Sequence, residues 1–156
     1  MIPVVSNIVE VCVFRFRNDT IEYLVLKRSP EERIHPGMWQ LITGTTTEGE
    51  RGVRTALREM QEETGLVPLH FWSVPVFTSF YDRNGGALNH CPVFAAQADP
   101  VTKVKISEEH CDFAWLPFAQ ARRRLVWPSH RTVLEMVDTI IVRGEEAATR
   151  LYIPIS

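Results

Sequence analysis

The sequence predicts an α/β layered domain, and three observations carry that expectation. Two strand-like segments, residues 8 to 16 and 21 to 27, flank the turn residues Asn18-Asp19. A helix-like segment from about residue 50 to 64 has three faces of different chemistry. Further strand-like runs then give way to two more helical stretches toward the C-terminus. Strands mixed with a few helices bury their apolar faces as stacked layers.

The elements follow in order. Ile8 to Phe16 reads Ile-Val-Glu-Val-Cys-Val-Phe-Arg-Phe, rich in β-branched and aromatic residues, and Ile21 to Lys27 is similar. Residues 28 to 38 are rich in Pro and charge and form a loop. Trp39 to Ile42 is a short extended piece leading toward the helix at 50 to 64, which Gly65 ends as the residue able to take a left-handed backbone. Leu69 to Tyr81 holds one long strand or two short ones. Asn84-Gly85-Gly86 turns the chain, and Leu88 to Ala96 is the partner strand. Phe113 to Leu116 is a last short strand. Pro117 to Leu125 and Ser129 to Val142 are helices, the second opened by Pro128-Ser129 and closed by Arg143-Gly144. Residues 145 to 156 fit either class.

Composition narrows the class. A chain of 156 residues, 45% hydrophobic and 23% charged, is expected to form a single domain over 1 to 156 with a sizeable core. A net charge of -2 argues against binding a nucleic-acid polymer. Cys12, Cys91 and Cys111 are odd in number, far apart and without a CxxC pair, as free thiols in a reducing cytoplasm would be. No stretch approaches the apolar length of a membrane span, and the first residues lack a signal-peptide pattern.

The chemistry concentrates between Gly44 and Leu66. On a wheel of about 100° per residue, Glu62 and Glu63 fall within about 60° of Glu59. Val53, Ala56, Leu57, Met60 and Thr64 form a separate core arc, and Arg51, Arg54, Arg58 and Gln61 take the rest. Carboxylates gathered on one face repel one another, and a hard divalent cation with a preference for oxygen ligands is their natural counter-charge. Glu50 falls near Arg58 in angle and reads as its structural partner.

This segment resembles the box of the Nudix hydrolase family in full. It runs Gly44, five residues, Glu50, seven residues, Arg58-Glu59, Met60, one residue, Glu62-Glu63, one residue, Gly65, Leu66. The resemblance implies an α/β/α sandwich around a mixed sheet. It also implies hydrolysis of a pyrophosphate bond in a nucleoside diphosphate linked to another group, with Mg²⁺ or Mn²⁺. By the same match Glu62 and Glu63 are the main metal ligands, Glu59 binds metal or orients the attacking water, the Thr43 carbonyl is a further ligand, and Arg58 orients its neighbouring glutamate.

A carboxylate outside the box often completes such a site, and Glu108 and Glu109 are the candidates. Glu109-His110, Phe113 and Trp115-Leu116 resemble a segment of small Nudix enzymes that act on pterin triphosphates or dinucleoside tetraphosphates, which favours Glu109. His110 is either a base or a structural hydrogen-bonding residue. Arg28 is a candidate phosphate contact, and Trp39 and Tyr81 are candidate stacking residues for a flat ring. Trp39-Gln40 with Thr43-Gly44 resembles the pterin enzymes, and Ile21 to Leu26 the dinucleoside ones. Three readings follow: a pyrophosphohydrolase of a nucleoside or pterin triphosphate, a dinucleoside polyphosphate hydrolase, or a nucleotide sensor with the fold and no turnover. The expected partner is a small phosphorylated molecule, with no membrane and a monomer or homodimer as the working form.

Overall fold

The computed structural model describes residues 1 to 155. The strands are β1 (Val4–Val5), β2 (Ile8–Arg17), β3 (Thr20–Arg28), β4 (Trp39–Gln40), β5 (Ile42–Thr45), β6 (His70–Asp82), β7 (Ala87–Gln97) and β8 (His110–Leu116). The helices are α1 (Gly52–Thr64), α2 (Phe118–Arg124), α3 (Pro128–Met136) and α4 (Glu145–Leu151), with a π-helical turn at Val137–Val142 carrying α3 onward.

β2 organises the sheet. It pairs antiparallel with β3 through its second half, antiparallel with β5 through its first half, and parallel with β7. The β2–β3 connection works because Asn18 and Asp19 both take positive φ, 51° and 62°. That pair of conformations matches the strands' own twist, and Asn and Asp tolerate it better than most residues. β6 pairs with β7 on one side, and β8 pairs with β3 on the other. The result is a mixed sheet.

The near-continuous apolar run of β2 is explained by burial on both faces. Val9, Val11 and Val13 point to one side, where they pack with Ala56 and Met60 of α1 and with Phe71. Cys12 and Phe14 point to the other side and meet Ala121 of α2 and Val133 and Leu134 of α3. Helices therefore cover both faces, which is the α/β/α sandwich. No helix among the described residues is long and apolar enough to cross a membrane.

Several boundaries differ from expectation for identifiable reasons. The extended piece at Trp39 to Ile42 is two strands, because β4 pairs with β3 while β5 pairs with β2 and runs on to Thr45. The stretch from Leu69 is one strand whose register shifts between Val74 and Phe77, around Pro75, which has no N–H to give the ladder. β8 begins at His110, not Phe113, since its polar first residues still pair with Lys27 and Arg28. The helix from residue 128 changes to π-helical turns at Val137. The ambiguous C-terminal stretch contains α4, after which Ile153 N–H donates to the Phe71 carbonyl at 2.8 Å. β1 carries no sequence signal beyond Val-Val and forms by pairing with Leu88 and Asn89.

Candidate active site

The site is built where β5 feeds α1. Gly44 lies opposite Val9 in the β2–β5 ladder, and its α-carbon is close against Glu59. A β-carbon added at Gly44 would lie 2.0 Å from Glu59 Cγ and 2.4 Å from Cδ, so any side chain there would push the carboxylate away. The glycine is required by close approach. At the other end of α1, Gly65 has φ of 72° and closes the helix with its N–H on the Gln61 carbonyl.

Arg58 ties the acidic residues to the loop. Its Nε and Nη2 donate to the two oxygens of Glu50 at 2.9 and 3.0 Å. Its Nη1 donates to Glu59 at 2.9 Å and to Glu62 at 3.1 Å, and Nη2 also reaches the Thr45 carbonyl at 3.0 Å. Glu50 in turn accepts from the Thr55 hydroxyl at 2.7 Å and from Thr47 N–H. Arg58, then Thr55, hold the Glu50 carboxyl well below the usual carboxylate range. Glu50 is thus a bracing residue for Arg58, as the helical angle implied.

The core of the site is a trio. A carboxylate oxygen of Glu63, one of Glu109 and a ring nitrogen of His110 all lie within 4.8 Å of one another. Glu63 is 3% exposed, and its Oε2 has no hydrogen-bond partner. Burial first, then the charges of Glu109 and Glu59, push the Glu63 carboxyl up to about 10. Glu59 is raised as well, by burial first, with Arg58 opposing and Glu62 and Glu109 adding. Burial lowers His110, which favours the neutral imidazole. A buried carboxylate beside two others is costly without a counter-charge. A divalent ion supplies that charge, and the orphaned Glu63 oxygen gives it a place to bind, so the residues fit such an ion.

Glu63 and Glu109 lie within 4.8 Å of each other, and Glu59 is near enough for its charge to raise the Glu63 carboxyl. Glu109 and Glu108 are both exposed, and Ser29 holds that segment by donating its N–H to the Glu109 carbonyl and its hydroxyl to the Glu108 carbonyl. Glu62, with 57% of its side chain exposed, turns to Arg58 and lies outside the trio. Thr43 sits in β5 opposite Glu10. Arg28, at the end of β3, donates to the Ile34 carbonyl and to Glu32, and its charge is felt by both Glu63 and His110. Trp39 lies under the Arg124 guanidinium, 4.7 Å from the ring centre. Tyr81 is exposed on β6, separated from β8 by β7, β2 and β3, and the structure does not bring it to the trio.

Two features go beyond the sequence reading, which offers His110 only as a base or a hydrogen-bonding residue and passes over Glu10. His110 belongs to the trio itself, and its Nε2 is 3.3 Å from the Gln40 amide nitrogen. Glu10, 5% exposed on the opposite face of β2, accepts from the Thr78 hydroxyl at 2.7 Å and lies 3.7 Å from His130 Nε2. The available signals were a Gln following Trp39 in a strand and a single acid inside the apolar run of β2.

Comparison with known proteins agrees with this fold. A family model described as NUDIX domain matches residues 7 to 137. An isopentenyl-diphosphate Δ-isomerase of Salmonella heidelberg is 33% identical over 118 residues, 72% of this chain and 61% of the relative. An octanoyltransferase of Myxococcus xanthus is 29% identical over 142 residues, 85% of this chain and 37% of the relative. The chain therefore spans less than two thirds of the length of either relative. Among solved structures, a C. elegans Ap4A hydrolase superposes with TM-score 0.75 at 18% identity, covering 89% of this chain and 98% of the other. The E. coli dihydroneopterin triphosphate pyrophosphohydrolase superposes with TM-score 0.64 at 24% identity, covering 81% and 92%. At these identities the structural likeness speaks for the fold.

Proposed function

Because the chain belongs to the NUDIX domain family, matched over residues 7 to 137, we propose that it hydrolyses a pyrophosphate bond in a nucleoside or pterin triphosphate with Mg²⁺ or Mn²⁺. The observation that carries the reading is the convergence of Glu63, Glu109 and His110 beside a Glu59 seated on Gly44. Glu59, Glu62, Glu63, Glu109 and the Thr43 carbonyl would hold the metal. Glu62 is exposed enough to turn from Arg58 toward a cation.

The bound ion would neutralise the pyrophosphate, lower the pKa of a water and orient it. The chain's residues do the rest. Arg58 keeps the Glu59 carboxylate in one place by donating to Oε1, and Glu50 keeps Arg58 in place through a two-point ion pair. Glu59, partly buried and raised in pKa, is suited to take a proton from the attacking water. Arg28 offers a positive group at the side of the trio for the phosphate chain. Trp39, with Arg124 on its ring, offers a flat surface for a heterocycle.

A second reading, isomerisation of an isoprenoid diphosphate, is favoured by the 33% identity to the isomerases. Both substrate classes carry a diphosphate for the same acidic cluster. A panel of nucleoside triphosphates, a pterin triphosphate, a dinucleoside tetraphosphate and isopentenyl diphosphate, incubated with Mg²⁺ or Mn²⁺, separates them by product. Release of pyrophosphate supports the triphosphate reading. Two nucleotides from the dinucleoside substrate would replace it with that hydrolase, and a rearranged diphosphate would replace it with the isomerase. Binding without turnover of any member would make the protein a sensor.

A further inference from the structure

The trio contains a nitrogen, and that changes which metal it suits. We infer that His110 is itself a metal ligand, so that the position between Glu63 and Glu109 takes Mn²⁺ or a similar transition ion in preference to Mg²⁺. The inference rests on the hydrolase reading for its substrate and goes beyond it in assigning this ligand and this ion.

The first observation is distance, since the His110 nitrogen and the two carboxylate oxygens lie within 4.8 Å of one another and closure onto a shared ion needs only small side-chain movement. The second is that two buried polar atoms of this trio, Glu63 Oε2 and His110 Nδ1, have no hydrogen-bond partner. Such atoms are rare in native proteins, and each asks for an explanation. Two of them beside one exposed carboxylate are explained together by a cation.

The third observation concerns Gln40. Its amide lies 3.3 Å from His110 Nε2, and an amide's oxygen and nitrogen are interchangeable in placement. With the Gln40 oxygen toward the ring, Nε2 carries the proton and donates it. Nδ1 is then a bare lone pair. A ring nitrogen held through the N–H of the other is the usual arrangement of a metal-binding histidine. β8 makes this possible: His110 pairs with Arg28 at the strand's first position, and the Ser29 contacts to residues 108 and 109 set the approach.

Mg²⁺ is a hard ion that favours oxygen and keeps its waters, whereas imidazole suits the later first-row divalent ions. A site of two carboxylates and one imidazole therefore selects Mn²⁺, and more strongly Co²⁺ or Zn²⁺, over Mg²⁺. The direct test is pulsed electron paramagnetic resonance on the full chain loaded with one equivalent of Mn²⁺. A nitrogen coupled through a direct bond is expected, and it should vanish in His110→Gln. In calorimetric titrations His110→Gln should weaken Mn²⁺ binding by at least about tenfold while changing Mg²⁺ binding by much less. Wild-type protein without coordinated nitrogen overturns the inference, and that measurement needs no folded variant. Equal weakening of both ions also overturns it. Hydrolysis with an all-oxygen metal site would sink this inference and leave the function standing. A nitrogen-bound Mn²⁺ with no turnover of any panel member would do the reverse.

Discussion

Gly44 and Glu63 carry the clearest residue-scale consequences. An alanine at Gly44 puts a methyl carbon 2.0 Å from Glu59 Cγ, so the side chain must move by about an ångström or more to reach van der Waals distance. Misplacement of that size costs about a hundredfold in rate, and Gly44→Ala should show it in kcat. The strain should also lower stability by about 1–3 kcal/mol in denaturant titration. An active, equally stable Gly44→Ala would show that Glu59 has no fixed place in the reaction. Glu63→Gln should behave differently, keeping the fold and losing at least about a hundredfold in turnover. Without metal it should be as stable as the parent or more so, because it removes a carboxyl that burial holds protonated. A Glu63→Gln that unfolds would make the residue structural.

Besides the packing of its apolar face, α1 is tied to β5 and the loop before it by Arg58. The guanidinium spans Glu50, Glu59, Glu62 and the Thr45 carbonyl, a set that only a planar fork with several donors can serve. Arg58→Lys keeps the charge and loses the two-point pair with Glu50. It should lower turnover by more than about tenfold while binding of a metal probe falls less. The box helix was legible in the sequence because one periodicity carries both its core and its chemistry, and Ala56, Met60 and Thr64 are buried as the wheel requires. Thr55 and Glu63 are buried too, which a wheel cannot say, because Thr55 bonds to Glu50 before the helix and Glu63 lies beside Glu109 and His110 from a distant segment. β8 was only partly legible for the same kind of reason. Glu-Glu-His-Cys-Asp has the composition of a loop, and pairing with β3 makes part of it a strand. The split of β4 from β5 rests on which neighbour each residue pairs with, a non-local fact that spacing along the chain does not contain.

For the whole molecule, the buried acids link metal, pH and stability. Glu63 has a folded pKa of about 10 against an ordinary 4.5, so the folded state binds the proton more tightly than the unfolded one. Stability from this group is full below 4.5 and is lost as pH rises toward about 10, with Glu59 acting in the same direction. His110, lowered by burial, opposes this only around and below its ordinary 6.5. Metal-free protein should therefore melt at a lower temperature as pH is raised from about 7 to about 9, and Glu63→Gln should flatten that slope. Added divalent ion should raise the melting temperature most at the alkaline end, where the carboxylates are free to bind it. A melting temperature that rises with pH in chelator would contradict the assignment of Glu63. The central claim, metal-dependent attack of water on a pyrophosphate linkage, is tested most directly by phosphorus NMR of the substrate panel turned over in heavy-oxygen water. One phosphoryl product of a triphosphate substrate is expected to carry the heavy isotope in Mg²⁺ or Mn²⁺, and no product is expected in chelator. Products free of the label, or full turnover in chelator with no metal bound, would contradict that claim.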